Sequence, residues 1–317
     1  MSTNIINPKN VVEEGDTVII YINFNQTTVL VVERGKVLQT KYGALRHDFV
    51  IGKKYGSRIN CTKGYVYVLC PCPELWSQNL EHRTQILYTS DVALVTLNLD
   101  LKPGSLVGEA GTGSGSLSHA LIRTIAPTGH LFTYEVNQER YEAAKMEFAR
   151  HGLSSLVTIT LRDVCKNGFT EDTISKLDAV FLDLPQPWEA LKAAKKALRT
   201  DRITRFCSFS PCIEQVQKMC DELRKEGFVE LDTVECVPRT YKVLTVDRIT
   251  GAVKPSVKSK IAIEAESKRR GPKAPKLDPE VDKDDPDDEM LIHAPFPFEQ
   301  PTHTGYLTFA TLPPRIE

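Results

Sequence analysis

The sequence of 317 residues lacks any apolar run near the roughly 20 residues that a membrane-spanning helix needs. Its longest clean runs, such as Thr17-Val-Ile-Ile-Tyr-Ile22, are of strand length, so no spanning segment is expected. A secretory signal is missing too. Met1-Ser-Thr-Asn-Ile-Ile-Asn-Pro8 has neither a basic n-region nor an apolar h-region, and an intracellular protein is expected. Zinc spacing is absent among the eight cysteines: no His cluster completes Cys70-Pro-Cys72 or the pair Cys207 and Cys212. They read as buried thiols of a reducing compartment, with no metal expected. There is also no excess charge of one sign, because 40 Lys and Arg meet 41 Asp and Glu for a net charge of −1. That balance conceals strong local asymmetries. With 41% hydrophobic and 26% charged residues, most of the chain has ordinary globular composition and enough length for two modest domains or one large one.

Residues 1–73 show short alternating runs (Thr17 to Ile22, Thr28 to Val32, Lys36 to Thr40, Tyr65 to Leu69) separated by Gly-bearing turns, the pattern of a small all-β domain. Arg34, Lys36, Lys41, Arg46, Lys53, Lys54, Arg58 and Lys63 stand there against one acid, Asp48, with Tyr42, His47, Phe49 and Tyr55 interleaved. Such a mixture suits phosphate contacts with base stacking, or equally a solvated basic face over an aromatic core. Residues 74–100 read as a helical connector. From 101 to 250, strands at Ser105 to Glu109, His130 to Glu135, Leu156 to Leu161, Asp178 to Asp183 and Arg205 to Phe209 alternate with helices. The helices are expected at Ser114 to Ile125, Gln138 to His151, Trp188 to Leu198 and Pro211 to Glu226, with Pro211 in the first turn of the last. This is the signature of a parallel sheet with helices on both faces.

The composition then breaks. Residues 254–276 carry eight Lys or Arg against two Glu, and residues 278–289 carry eight acids against one Lys. Few aromatics and repeated Pro lead us to expect a disordered charged insertion over 251–300. It would separate two strands that pair, Tyr241 to Arg248 and Gly305 to Leu312, the second lying in a C-terminal segment, 301–317, that completes the sheet. Lys268-Arg269-Arg270 suits a nuclear localisation signal or a plain flexible linker.

The strand ending in Gly108-Glu109 runs into Ala110-Gly111-Thr112-Gly113-Ser114-Gly115-Ser116 and then a helix, so glycines permit a tight turn where a ligand meets a helix N-terminus. A nicotinamide fingerprint wants a third glycine where Ser116 stands. The Gly-x-Gly-x-Gly spacing after an acid resembles motif I of class I S-adenosylmethionine (SAM) methyltransferases instead. Glu135, Asp163 and Asp183 follow at the ends of the next three strands, and open α/β sheets bind ligands along that edge. Singly, each acid also fits a helix N-cap or a solvated turn.

Asp183-Leu-Pro-Gln-Pro-Trp188 resembles the Asp/Asn-Pro-Pro-aromatic motif with which methyltransferases hold the exocyclic amino group of a target base. Pro73-Glu-Leu-Trp76, His82-Arg-Thr-Gln-Ile-Leu-Tyr88, Glu109 through Ser118, Ile125-Ala-Pro-Thr-Gly-His130, Phe181-Leu-Asp-Leu-Pro185 and Phe206-Cys-Ser-Phe-Ser-Pro-Cys-Ile-Glu-Gln215 extend the likeness. Together they resemble the catalytic-subunit family of the eukaryotic two-subunit tRNA (adenine(58)-N(1))-methyltransferases over residues 11–250 and again over 303–311. The resemblance implies an α/β fold, a class I Rossmann-like SAM methyltransferase domain preceded by the small all-β domain. It implies SAM contacts from Gln85, Leu87, Glu109, Gly111, Gly113, Ser114, Gly115 and Ser116, ribose and nearby polar contacts from Glu135 and Arg140, and an adenine site framed by Asp163 and Val164. Asp183 is implied as the catalytic aspartate, also touching the cofactor, with Leu182, Leu184, Pro185, Cys207, Ser208, Phe209, Ser210 and Pro211 beside the target nucleoside.

The activity so implied is methylation of N1 of the T-loop adenosine of tRNA, in a heterotetramer of two catalytic and two non-catalytic homologous subunits. A SAM methyltransferase acting on another RNA, a protein or a small molecule would share the glycines and Glu135 but leave Asp183 in its proline motif unexplained. An inactive RNA-binding scaffold would have no use for intact Gly111, Gly113, Gly115, Glu135 and Asp183.

Overall fold

The computed structural model describes residues 5–23, 26–237 and 305–314, together with the backbone of three strands between 241 and 295. The chain divides into two compact units, residues 1–236 with 302–317, and residues 237–301.

The first unit opens with β1 (Thr17–Asn23), β2 (Gln26–Val31), β3 (Val37–Thr40), β4 (Gly43–Arg46), β5 (Arg58–Asn60) and β6 (Tyr65–Leu69). They form a four-stranded sheet ordered β2-β1-β6-β5 and the hairpin β3-β4. Alternation explains the sheet: Val18, Ile20, Val66 and Val68 face one core with Leu45 and Val50, while Tyr21, Tyr65 and Tyr67 fall on the opposite face. β4 and β5 were not foreseen, being only four and three residues long.

The expected connector is two short helices, α1 (Pro73–Ser77) and α2 (Thr89–Asn98), joined by an irregular stretch over 78–88. Then follow β7 (Leu106–Ala110), α3 (Ser116–Ile125), β8 (His130–Glu135), α4 (Gln138–Arg150), β9 (Val157–Leu161), α5 (Val164–Asn167), β10 (Ala179–Leu182), α6 (Pro187–Ala197), β11 (Thr204–Ser210), α7 (Ile213–Lys225) and β12 (Val229–Glu235). Pro211 lies outside α7, contrary to expectation. β11 runs on to Ser210, and Cys212 is still extended as the N-cap.

In the second unit, β13 (Tyr241–Asp247) lies between β14 (Val253–Lys254) and β15 (Glu289–Pro295) in an antiparallel sheet. The final strand, β16 (Tyr306–Leu312), belongs to the first unit. Two expectations are corrected here. The strand at 241–247 pairs with β15, not with β16, and Val253–Lys254 and Glu289–Pro295 are strands inside the stretch expected to be disordered. Averaging charge over fifty residues concealed the apolar run Met290-Leu-Ile-His-Ala294. The basic and acidic blocks between these strands lie outside the described residues.

The main sheet is ordered β12-β16-β11-β10-β7-β8-β9, with β16 antiparallel to both neighbours and β7 through β11 parallel. Its two faces carry separate cores. Phe181 and Cys207 pack with Leu121, Ile122 and Phe148 on one side, and Val180, Leu182 and Phe206 pack with Leu191, Met219 and Leu223 on the other. Strand order reverses between β7 and β10, where the loops part and leave a crevice at the carboxyl ends. Among the described residues no helix is long and apolar enough to cross a membrane, and all eight cysteines are free thiols.

Candidate functional site

At that switch point lies a cavity of about 320 Å³, within the usual range for small-molecule sites. Gly111, Gly113, Glu135, Arg140, Asp163, Val164, Asp183, Leu184, Pro185 and Phe209 line it, and Gln85 and Leu87 of the irregular stretch 78–88 close its far wall. A smaller cleft shares Gln85, Leu87, Gly111, Gly113 and Asp183 and adds Glu109, Ser114, Gly115 and Ser116. All four strand-end acids therefore line one connected site.

The turn after β7 is built by conformations that favour glycine. Gly111, Gly113 and Gly115 have φ of +96°, +56° and +77°. A Cβ on Gly113 would stand 2.7 Å from Thr84 Oγ1, so the turn and the 78–88 wall approach backbone to side chain. Ser114 Oγ accepts the N–H groups of Arg83 and Thr84, both at 3.0 Å. Ser116 Oγ donates to the Leu87 carbonyl at 3.2 Å and lies 2.7 Å from Ser77 Oγ. Both serine hydroxyls thus tie the wall to the turn. Arg83 completes the clamp by donating to Glu147 at 2.6 Å and to the Ser114 carbonyl at 3.0 Å. Sequence reasoning did not single out Arg83, although it stands inside the quoted string His82-Arg-Thr-Gln.

The acids divide into two electrostatic classes. Burial pushes Glu135 up, but hydrogen bonds from Arg140 (2.7 Å), the Asn137 N–H (3.0 Å) and the Gly113 N–H (3.0 Å) outweigh it and hold the carboxyl below its ordinary range. Asp163 is held down by its hydrogen bond to Lys166 and by capping α5 through the N–H groups of Lys166 and Cys165. Glu109 goes the other way. Burial pushes it to about 7 although Ser118 Oγ (2.6 Å) and Thr133 Oγ1 (2.7 Å) both donate to it. Burial alone raises Asp183 to about 6, and its carboxylate accepts no hydrogen bond from the described residues. Glu109 and Asp183 therefore lack a cation among the described residues, whereas Glu135 and Asp163 already have one.

Arg140, on the face of a helix, pairs with Glu135 and keeps a buried Nε without a partner among the described residues. Five of the residues expected beside the target do not reach the cavity. Leu182 and Cys207 are wholly buried in the two cores, and Ser208 and Ser210 are buried with hydroxyls lacking partners. Pro211 is exposed and lines neither cavity. The cavity lies at the carboxyl ends of the strands, and Leu182 and Cys207 pack below it into the cores of the two sheet faces, so Phe209 is the residue of β11 that lines it. Tyr134, Val136 and Arg162 line the cavity unforeseen. Val136, exposed directly after Glu135, was the legible one.

The model of the family described as the tRNA methyltransferase complex GCD14 subunit matches residues 64–312. Proteins named tRNA (adenine(58)-N(1))-methyltransferase catalytic subunit are similar along much of the chain. That of Candida albicans is 38% identical over 97% of this chain and 98% of its own length. That of Dictyostelium discoideum is 45% identical over 75% and 77%. That of Cryptococcus neoformans is 46% identical over 74% of this chain, which spans about half (54%) of that relative. Among solved structures, a SAM-dependent O-methyltransferase from Thermotoga maritima superposes with a TM-score of 0.73 at 26% identity, covering 97% of each chain. The tRNA (m1A58) methyltransferase TrmI from Aquifex aeolicus shares the fold, with a TM-score of 0.68 at 24% identity over 95% of this chain and 98% of its own.

Proposed function

We propose that this chain, which belongs to the family of the tRNA methyltransferase complex GCD14 subunit, transfers a methyl group from SAM to N1 of the T-loop adenosine of tRNA. The carboxylate of Asp183, held without a partner in a connected cavity beside Leu184, Pro185 and Phe209, carries the reading.

The site fits SAM on its own chemistry. The cofactor bears positive charge, and Glu109 is an acid of the adjoining cleft without a cation among the described residues, which leaves Asp183 for the acceptor. Glu135, already ionised, has Oε1 occupied by Arg140 and the N–H groups of Val136 and Asn137 and offers Oε2, beside the Gly113 N–H, to the ribose hydroxyls. Val136 and Val164 offer apolar surface for a base, and Asp163 a polar edge. Gln85 and Leu87 close over the opposite side. When bound, SAM supplies an electrophilic methyl group.

The acceptor needs little activation. Neutral adenine N1 carries an in-plane lone pair, so alignment in the pocket supplies much of the rate. As N1 is alkylated, positive charge spreads onto N6. An ionised Asp183 accepting from N6–H stabilises that charge where it develops. The proton lost from the cationic product can leave to water afterwards, so Asp183 need not act as a base. Leu184, Pro185 and Phe209 would flank a base withdrawn from the T-loop, as base-modifying enzymes require.

A non-catalytic homologous partner, in a two-plus-two assembly, would extend the limited RNA-binding surface of one chain, and the basic block that includes Lys268-Arg269-Arg270 would direct the protein to the nucleus. Incubating the full chain, with and without its co-purifying partner, with T-loop-containing tRNA and SAM tests the reading when the modified base is identified by mass spectrometry. Methyl groups found only on protein or a small molecule would overturn the acceptor. Failure to bind SAM would leave the inactive scaffold.

A further inference from the structure

Behind the glycine-rich turn lies a buried cluster that the chemistry above does not use. His119 of α3 and His151, the residue that ends α4, are both fully buried, with 2.9 Å between His119 Nε2 and His151 Nδ1. His119 Nδ1 lies 2.6 Å from the carbonyl oxygen of Gly115. Phe148 packs on His119 with ring centroids 5.3 Å apart, and Trp76 of α1 packs edge-on against His151 at 4.4 Å.

Valence fixes the direction of each hydrogen bond. A carbonyl oxygen only accepts, so His119 Nδ1 carries the hydrogen. Burial pushes both imidazoles toward the neutral form, His151 down to about 2 with His119 and Arg150 adding to the effect. His119 Nε2 is therefore bare and accepts from His151 Nδ1–H. His151 Nε2 is left bare as well, and it is buried without a partner among the described residues. So is Trp76 Nε1–H, on the ring packed against it. One acceptor and one donor thus remain over within a single ring contact, where buried polar groups are normally paired, directly or through water.

We propose that Trp76, His151 and His119 form a directed hydrogen-bond chain, closed by a buried water between Trp76 Nε1–H and His151 Nε2, that fixes the Gly115 carbonyl and with it the cofactor-facing turn. Gly115 is the left-handed N-cap of α3, with little steric restraint of its own, and its carbonyl accepts the His119 N–H at 3.2 Å, so the imidazole is the second and shorter anchor on that oxygen. Its carbonyl and the Ser116 N–H share one peptide plane, so anchoring the oxygen aims the N–H. That N–H belongs to the N-terminus of a ten-residue helix, the end that holds an anionic group such as the carboxylate of SAM. His119 and His151 are positioning residues, and the inference rests on the SAM reading.

Two variants of the full chain separate this role from packing. His119→Phe keeps an aromatic ring against Phe148 and Trp76 but removes the donor. His119→Asn keeps an N–H near the position of Nδ1 but removes the ring. By calorimetry the SAM Kd is expected to rise about tenfold in His119→Phe and by less than that in His119→Asn, which keeps the donor to Gly115 but loses the link to His151, while the melting temperature falls further in the Asn variant. Affinity that follows the melting temperature instead, or an unchanged Kd in His119→Phe, overturns the proposal. Should either variant fail to fold, nitrogen-15 NMR of the wild-type histidines decides. Both are expected as Nδ1–H tautomers at neutral pH, and the other tautomer or an imidazolium in either ring overturns the chain. A wild-type protein that does not bind SAM would remove the methyltransferase reading, and the tautomers would still judge the hydrogen-bond chain.

Discussion

A Cβ placed on Gly111 would fall on the backbone carbonyl oxygen of Asp183, far inside van der Waals contact. The Asp183 N–H in turn donates to the Ala110 carbonyl at 2.9 Å. The turn after β7 and the end of β10 are thus locked backbone to backbone, and the lock sets where the Asp183 carboxylate points. Gly111→Ala combines that collision with a φ of +96°. We expect a drop in methylation of at least about tenfold together with weaker SAM binding, because misplacing reacting groups by about 1 Å can cost about 10² in rate. Wild-type kinetics in that variant would show that the lock does not position Asp183.

Asp183→Asn should lower the rate by about 10²–10³ while SAM affinity stays near wild type. Stability should move the opposite way. The native carboxyl is pushed up to about 6, so between its unfolded value and that point the folded state binds more protons than the unfolded. This destabilising contribution of Asp183 is absent at low pH and fully developed above about 6. Removing the charge should therefore raise the melting temperature at pH 8, as measured by thermal unfolding. A variant that is both inactive and less stable would point to a structural role.

The same carboxyl sets a pH dependence. Because the ionised form is the useful one, kcat/KM should fall as pH drops through about 6, and the Asn variant should lack that limb. A profile flat to pH 5 in the wild type would contradict the assignment.

Glu135→Ala should act on the cofactor instead. It strips the Gly113 N–H and Arg140 of their acceptor and removes the group suited to the ribose hydroxyls. We expect SAM affinity to fall about tenfold or more, and unchanged affinity by calorimetry would remove Glu135 from the site.

How much of this was legible follows from which signals are local. Glu109, Glu135, Asp163 and Asp183 could be located because strand periodicity places each at the same sheet edge. Arg83 was not legible as a clamp, since its partners Glu147 and Ser114 lie 64 and 31 residues away. Leu182 and Cys207 were misplaced because a motif string does not say how far along a strand the cavity begins, and both pack below it, one in the core of each sheet face. The order of β16 between β11 and β12 is a long-range pairing that composition cannot encode.

The basic N-terminal sheet carries the last prediction, and its surface differs from what the sequence suggested. His47 is buried and Tyr42 and Tyr55 are half-buried, so those rings serve the core. Phe49 stays exposed, and Tyr65 and Tyr67 add exposed rings, with the Arg58 guanidinium 4.1 Å over the Tyr65 ring. Lys53, Lys54 and Arg58 are exposed and pair with no carboxylate among the described residues, whereas Arg34 and Lys36 are matched to Glu14 and Glu33. Unmatched cations are the ones free to meet phosphate. Reversing Lys53, Lys54 and Arg58 together to Glu should raise the tRNA KM steeply and flatten the salt dependence of binding by roughly one unit of slope per lost contact. Tyr65→Ala with Tyr67→Ala should weaken binding with the salt slope unchanged, because stacking releases no counterions. SAM affinity should stay constant in both, since none of these residues lines the cavity. If the triple variant binds tRNA with its full salt slope, this face is merely solvated, and the RNA must be held elsewhere.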